Sequence, residues 1–324
     1  MKPIAVIDLF CGMGGFSQGA IEAGAKVVLA VDLWEESLKV HYHNHPGTPI
    51  KRMTLGTKNQ FSIFMREVEK WRKLGYHVHI HGSPPCQALS NASSRNASEG
   101  MPLVIWFLDL VKFTKPDSWS MENVVPMRKR LPEGTPSVVL NSADYGVAQT
   151  RRRCIAGEGW EAIPTHNKET WLSVIDALPH LREELGTHIN LDGASDSNSR
   201  RAKSADFDIT STSGTLRNRL VIPIQRKVGV LKATGRILKP IWREIDEPIQ
   251  TITTRSENVG VQGKNSQEKP KKIRSLTIQE TLTLQGFNSD YDMTQARTQK
   301  NRWTMIGNAV VPAVAKAIIG GIKQ

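Results

Sequence analysis

Cysteine is scarce in this 324-residue chain: Cys11, Cys86 and Cys154 stand far apart, with no CxxC pair. That argues against a disulfide framework and against a zinc knuckle. No run approaches the roughly 20 apolar residues of a membrane helix. The opening MKPIAVIDLFCGMGG is interrupted by Asp8 too early for a signal peptide. The expectation is a soluble cytoplasmic chain, in which the sequons at Asn91 and Asn96 carry no glycan. Acids are outnumbered, 31 against 43 Lys and Arg, and the net charge of +12 suits a polyanionic partner. No internal repeat is present.

Hydrophobic residues make up 39% of the chain, enough for a sizeable core, and the length suggests a main domain with a smaller one. Apolar runs at Ile4 to Leu9 and Lys26 to Val31 read as strands around a glycine turn and a helix from about Phe16 to Glu22. That is a βαβ unit of a parallel sheet. A helix over Phe61 to Leu74, a strand over His77 to His81, a helix over Leu103 to Thr114 and a strand over Ser118 to Glu122 continue the pattern. Repeated βα units over residues 1–157 predict a doubly wound domain. Periodicity dissolves at 193–215, which is rich in Ser, Asp and Asn, and returns near Ile245. Pro312 opens a terminal helix. Between Arg200 and Arg243 stand 11 basic residues against Asp206 and Asp208, a surplus of nine. An ordinary solvated surface would spread that charge, so the segment is a candidate nucleic-acid face.

The turn DLFCGMGGFS (8–17) lets a ligand approach the backbone closely. The dinucleotide fingerprint would place a third glycine at 17, where Ser17 stands, so a nicotinamide cofactor fits poorly. Asp32 follows Gly12 by 20 residues, at the end of the second strand, where an acid meets ribose hydroxyls. A nucleoside ligand without a pyrophosphate, such as S-adenosylmethionine, needs the turn and the acid without the full phosphate cradle. In HGSPPCQALS (81–90), Pro84 and Pro85 stiffen the segment that presents Cys86. Glu122 in SMENVVP, with Arg151 and Arg153 in QTRRRCIAG, completes a chemical set. A thiolate adds to an electron-poor ring carbon, a carboxyl bonds a ring nitrogen and a guanidinium holds a carbonyl oxygen. Arg151 and Arg153 lie on one side if the strand is extended. Spacing alone leaves Cys86 open between a small buried hydrophobe and a nucleophile.

Five segments in order resemble the cytosine-C5 DNA methyltransferases, of the bacterial or phage type with one short target-recognition region. DLFCGMGGFS resembles the cofactor motif, GSPPCQALS the Pro-Cys-Gln motif, MENV the Glu-Asn-Val motif, QTRRR the Gln-x-Arg-x-Arg motif and GNAVVP the C-terminal Gly-Asn-x-Val motif. Together they span residues 4–318, and ADYGVAQTRRR and LTLQGF match further.

This resemblance implies an α/β, Rossmann-like S-adenosylmethionine-dependent methyltransferase fold with a small inserted target-recognition domain. Residues 1–157 would form the catalytic and cofactor domain, 158–244 the target-recognition domain, and 245–324 the segment completing the catalytic domain. The target cytosine would be flipped out of duplex DNA. Cys86 would attack C6, Glu122 would hold N3, Arg153 would hold O2, and Arg151 would support the same site. S-adenosylmethionine, leaving as S-adenosylhomocysteine, would lie against Phe10, Gly12, Met13 and Gly15. Asp32 would take the ribose, Leu33 the adenine, Pro85 and Leu103 the methyl end, and Asn308 with Val310 the C-terminal side. Gln87 and Ser90 would meet DNA near the flipped base, and Arg217 and Arg219 would meet it in the basic segment, beside the Thr215-Leu216 pair. No metal is implied. The enzyme would act as a monomer, with a cognate restriction endonuclease as a partner.

Two positions depart from the family pattern. The acid after the third strand is missing, with Arg52 and Met53 in PIKRMTLGT, so backbone groups do its work or cofactor affinity is altered. The aromatic next to the ribose acid is Leu33, with Trp34 one place later. The trios HYHNH (41–45) and HVHIH (77–81) each place histidines on one face of a strand, but no acid accompanies them as a metal ligand. Cys11 and Cys154 read as small packing residues, and Trp34, Trp71, Trp106 and Trp119 as core. Two other readings stay open. An RNA cytosine methyltransferase is separated by a duplex DNA against tRNA assay, and a silent DNA-binding relative is disfavoured by the intact Cys86, Glu122 and Arg153.

Overall fold

The computed structural model describes residues 1–85, 101–181, 219–222, 241–244, 247–252, 260–264 and 270–323. Its centre is a seven-stranded sheet, β1 (Ile4–Leu9), β2 (Lys26–Asp32), β3 (Ile50–Arg52), β4 (His77–Gly82), β5 (Ser118–Val124), β6 (Ser137–Asn141) and β8 (Arg152–Glu158). The spatial order is β3-β2-β1-β4-β5-β8-β6. β1 to β5 run parallel, while β8 inserts antiparallel between β5 and β6. β1 and β4 are buried along almost their whole length, as central strands covered on both faces must be.

Helices α1 (Gly15–Glu22), α3 (Phe61–Lys73) and α4 (Met101–Thr114) alternate with the strands as expected, and α2 (Glu35–Asn44) adds a helix that was not expected. α3 buries Phe61, Phe64 and Val68, the i, i+3, i+7 stripe of an amphipathic helix. The trio at 41–45 departs from expectation. It closes α2 instead of forming a strand, because its intervening residues Tyr42 and Asn44 are not the buried apolar partners a central strand needs.

The C-terminal helices are α6 (Ile278–Gln285), α7 (Gln299–Asn308) and α8 (Pro312–Gly320), after a single-turn α5 (Val174–Ala177). α8 starts at Pro312, whose missing N–H costs nothing at that position. It packs so tightly on α1 that a Cβ on Gly19 would sit 2.0 Å from the Pro312 carbonyl oxygen. The apolar stretch Gln299–Gly320 is thus two helices parted before Pro312 and largely buried.

A separate antiparallel sheet, β10-β9-β12-β13, comprises β9 (Arg219–Ile222), β10 (Ile241–Glu244), β12 (Gly260–Lys264) and β13 (Pro270–Ser275). Between them the chain returns to the main body, where β11 (Ile249–Gln250) pairs with β7 (Gln149–Thr150). The expected division at 158 and 244 therefore shifts at both ends. Residues 160–181 lie on the main body, with Trp160 donating to the Trp119 carbonyl, Trp171 to Asp144, and Val174, Ile175, Leu178 and Leu181 in its core. At the other end the small sheet recruits strands beyond 244. The segment 193–215 lies outside the described residues.

Candidate active site

The carboxyl edge of a parallel sheet is where strand ends open toward a ligand. β1 ends there in a turn that holds Phe10 at φ 55°, Gly12 at φ 55° and Gly14 at φ 98°, all left-handed. The Asp32 carboxylate accepts from the backbone N–H of Gly12 at 2.9 Å and of Trp34 at 2.8 Å. The acid is therefore locked beside the turn. Leu33, 55% exposed, borders a hollow with Trp34, Glu35, Lys39, Arg52 and Arg297. Arg52, at the position of the missing acid, pairs with Glu35 at 2.9 Å.

Phe10 is half-buried, edge-on to Trp106. Met13 is buried in the C-terminal core, and its carbonyl accepts from the Tyr291 hydroxyl. A Cβ on Gly15 would meet the Val310 carbonyl oxygen at 2.1 Å, so this glycine permits the approach of the C-terminal segment. Val310 is buried, Asn308 is exposed at the end of α7, Leu103 is half-buried on α4 near Gly56, and Pro85 is exposed.

Behind the turn lies a buried polar group. Ser17, where the dinucleotide fingerprint wants glycine, donates from Oγ to Asp8 Oδ2 at 2.7 Å, and its oxygen lies 2.9 Å from His41 Nε2. Burial raises the Asp8 pKa to about 7 and lowers that of His41 to about 3.

Glu122 and Arg153 meet. Because β8 is antiparallel to β5, its first residues lie beside the carboxyl end of β5, with Arg153 opposite Val124. Arg153 Nε reaches Glu122 Oε1 at 2.8 Å, and both side chains are mostly buried. Arg151 does not join them, contrary to the one-sided expectation. It precedes β8, is 3% exposed, and donates to the carbonyls of Ile252, Gly307 and Ala309. Its guanidinium ties the C-terminal segment to the sheet, a donor fan well suited to several carbonyls.

Two residues of the motifs acquire roles that sequence spacing did not reveal. Asn123 donates from Nδ2 to the Pro84 carbonyl at 3.2 Å, tying the proline segment to β5 beside Glu122. Gln149 donates to the Leu284 carbonyl and to Gln285, and accepts from the Ile252 N–H. Their membership of MENV and QTRRR was the only sign, since each partner lies far along the chain. Cys86, Gln87, Ser90 and Arg217 lie outside the described residues, and Arg219 opens β9. No group of three His, Cys, Asp or Glu among the described residues is placed to hold a metal ion.

The profile of the C-5 cytosine-specific DNA methylases matches residues 4–133 and 134–324. The chain belongs to that family. Among curated proteins, this methylase is 26% identical to Type II methylase M.HgiDII of Herpetosiphon aurantiacus, over 99% of its own length and 95% of the relative's. It is also 26% identical to Type II methyltransferase M1.HphI of Haemophilus parahaemolyticus, covering 99% and 87%. Among solved structures, a DNMT2 variant of Spodoptera frugiperda superposes with a TM-score of 0.58 at 16% identity, covering 96% of this chain and 97% of that one. The last likeness shows the fold. The reaction of the methylase is methyl transfer to C5 of cytosine in DNA, and its family and fold imply S-adenosylmethionine as the donor.

Proposed function

We propose that the methylase acts on a cytosine flipped out of duplex DNA, through a covalent bond between the Cys86 sulfur and C6. The observation that carries this reading is the Glu122–Arg153 pair at 2.8 Å, at the sheet edge to which Asn123 ties the proline segment. In this reading Glu122 holds the ring at N3, which draws electron density from C6 as the thiolate adds. Arg153 holds O2 and keeps Glu122 oriented. Arg151 acts at a distance, by seating the strand that bears Arg153.

The turn fits a nucleoside: Asp32 is fixed by two backbone donors, and Leu33 offers uncovered apolar surface beside it. Asp32 would take the ribose and Leu33 the adenine, with Phe10, Gly12, Pro85, Leu103 and Asn308 around the remainder. Met13, Gly15 and Val310 would shape the pocket from behind. S-adenosylmethionine supplies an electrophilic methyl group when bound. The antiparallel sheet β10-β9-β12-β13 and its flanking segments would recognise the target sequence, with Arg217, Arg219, Gln87 and Ser90 against DNA. A monomeric cytoplasmic enzyme with a cognate restriction endonuclease completes the reading.

Bisulfite sequencing of DNA from cells expressing the protein tests it. Protected cytosines should fall in one sequence context, and Cys86→Ala should lower methylation by at least about 10⁴-fold, as loss of a nucleophile does. Undiminished methylation by Cys86→Ala would sink the covalent mechanism.

A further inference from the structure

The hollow beside Leu33 holds a group of charges that the reaction just described does not use. Glu35 opens α2, three residues after Asp32, and Arg52 ends β3, opposite Asp32 in the parallel register. Glu35 Oε2 accepts from Arg52 Nη1 at 2.9 Å, and Glu35 Oε1 lies 2.8 Å from Lys39 Nζ, one helical turn on. All three side chains are at least half exposed. With Leu33 and Trp34 among their neighbours, they line a space of about 490 Å³.

Water screens exposed pairs of this kind, so they add little to stability. Their chemistry suits a purine edge. Adenine presents an amino group, which donates, between two ring nitrogens, N1 and N7, which accept. A carboxylate with a guanidinium at its side is the matching arrangement, since one only accepts and the other only donates. Two carboxylate oxygens offer about four acceptor sites, so Glu35 keeps capacity after Lys39 and Arg52 are served. Lys39 first, then Arg52 and Arg297, hold the Glu35 carboxyl below its ordinary range, and it stays an acceptor.

The neighbouring groups are engaged elsewhere. Glu36 accepts from the Arg297 N–H and from Asn301 Nδ2, which fastens it to the first turn of α7. The Met53 N–H, next after Arg52, donates to the Asp32 carbonyl at 3.0 Å. Trp34 packs against the C-terminal core. Of the two acids that line the hollow, Glu35 is therefore the one open to a ligand.

We propose that Glu35, held by Arg52 and Lys39, recognises the amino edge of the adenine of S-adenosylmethionine, an assignment that rests on the reading in which Asp32 takes the ribose and Leu33 the adenine. Glu35 accepts from the amino group at C6, and Arg52 donates to an adjoining ring nitrogen. Glu35 thereby supplies the carboxylate that position 52 lacks. Leu33 covers a face of the ring whatever its edge carries, so the choice of base falls to the charged pair. A base with a carbonyl at C6, fixed in place by its ribose, sets one acceptor against another there.

Calorimetric binding of S-adenosylhomocysteine and of S-inosylhomocysteine, its C6-carbonyl analogue, to the full chain tests this without turnover. The wild type should bind the adenine ligand about ten-fold more tightly, as one hydrogen bond to a charged group gives. Glu35→Gln, whose amide offers either a donor or an acceptor, should cut that preference to about three-fold or less. Arg52→Ala, which removes the partner that orients Glu35, should leave an intermediate preference. Asp32→Asn should weaken both ligands together at an unchanged ratio. A merely structural Glu35 would also move both ligands together. An undiminished ratio in Glu35→Gln, or equal binding of the two ligands by the wild type, would overturn the adenine assignment alone if Asp32→Asn still weakens both. Unweakened binding by Asp32→Asn would overturn the nucleoside reading of the turn and the assignment with it.

Discussion

HYHNH at the end of α2 and HVHIH in β4 set three histidines at the same two-residue interval, yet the chain treats them in opposite ways. In β4 the residues between are Val78 and Ile80, both fully buried, and all three imidazoles share one face of the strand. In α2 the residues between are Tyr42, exposed, and Asn44, half-buried. There the helical period brings His41 and His45 together, 4.9 Å between ring centroids, and turns His43 outward to Asp292. The periodicity of a histidine pattern is thus decided by its neighbours. The two groups also differ in how well they are satisfied. The β4 nitrogens that face β5 and Ser83 all have hydroxyl partners, whereas His41 Nδ1 and its neighbour Asp8 Oδ1 are buried without one.

The largest effect expected is one the two groups share, loss of stability in mild acid. Burial holds His41 and His79 at about 3 and His45 at about 4, with His81 shifted the same way. Below about 6.5 the unfolded chain binds protons that the folded chain refuses, so stability present above that pH is lost as pH falls. Each such histidine contributes a slope of about 1.4 kcal/mol per pH unit. Asp8 opposes them. Its folded pKa of about 7 lies above the unfolded value of 3.8, so it gains stability as pH falls through that window. Among the described residues the lowered histidines, His77 among them, outnumber the one raised aspartate, so stability should fall steadily as pH drops below about 6.5. Urea midpoints from pH 8 to pH 5 test this, and a flat profile between pH 6.5 and pH 5 would count against it.

A pair of substitutions should separate the two groups. His79→Leu removes the ring that joins Ser118 to Ser120 and should cost about 2–3 kcal/mol at pH 8, where protonation plays no part. His41→Leu removes a ring with an unpartnered nitrogen, while Ser17 keeps its bond to Asp8, and should cost no more than about 1 kcal/mol. Equal losses would show that the satisfied and unsatisfied rings are energetically alike.

The first βαβ unit was legible because it rests on a local period, and Asp32, Glu122 and Arg153 were singled out by spacing or motif, but the Asp32–Gly12 contact and the Glu122–Arg153 pair were not legible. Nor was the place of Arg151, because strand spacing counts residues and cannot see that β8 begins at 152 or that carbonyls at 307 and 309 lie within reach. The same holds for Asn123 and Gln149, whose partners are set by sheet order. The small sheet escaped the expected boundary at 244 because β12 and β13 join it by long-range pairing around the intervening β11. The hydroxyl partners of the β4 histidines were invisible for a related reason. Ser118 and Ser120 look like ordinary strand residues until the parallel register sets them opposite His79 and His81.

The smallest effect belongs to the histidine that α2 turns outward. His43 Nε2 lies 2.9 Å from Asp292 Oδ2, with the two side chains 45% and 35% exposed. Water screens such a pair, and fixing two mobile side chains offsets much of the attraction. Asp292 also has other partners. Its carboxylate accepts from the Thr294 N–H and hydroxyl, and the Thr294 N–H is the main influence holding its pKa below the ordinary value. His43→Ala should therefore shift stability by no more than about 0.5 kcal/mol. A loss above about 2 kcal/mol in the urea midpoint would mean that the outward face of α2 carries as much of the stability as the inward one, and the contrast between helix and strand would fail at that residue.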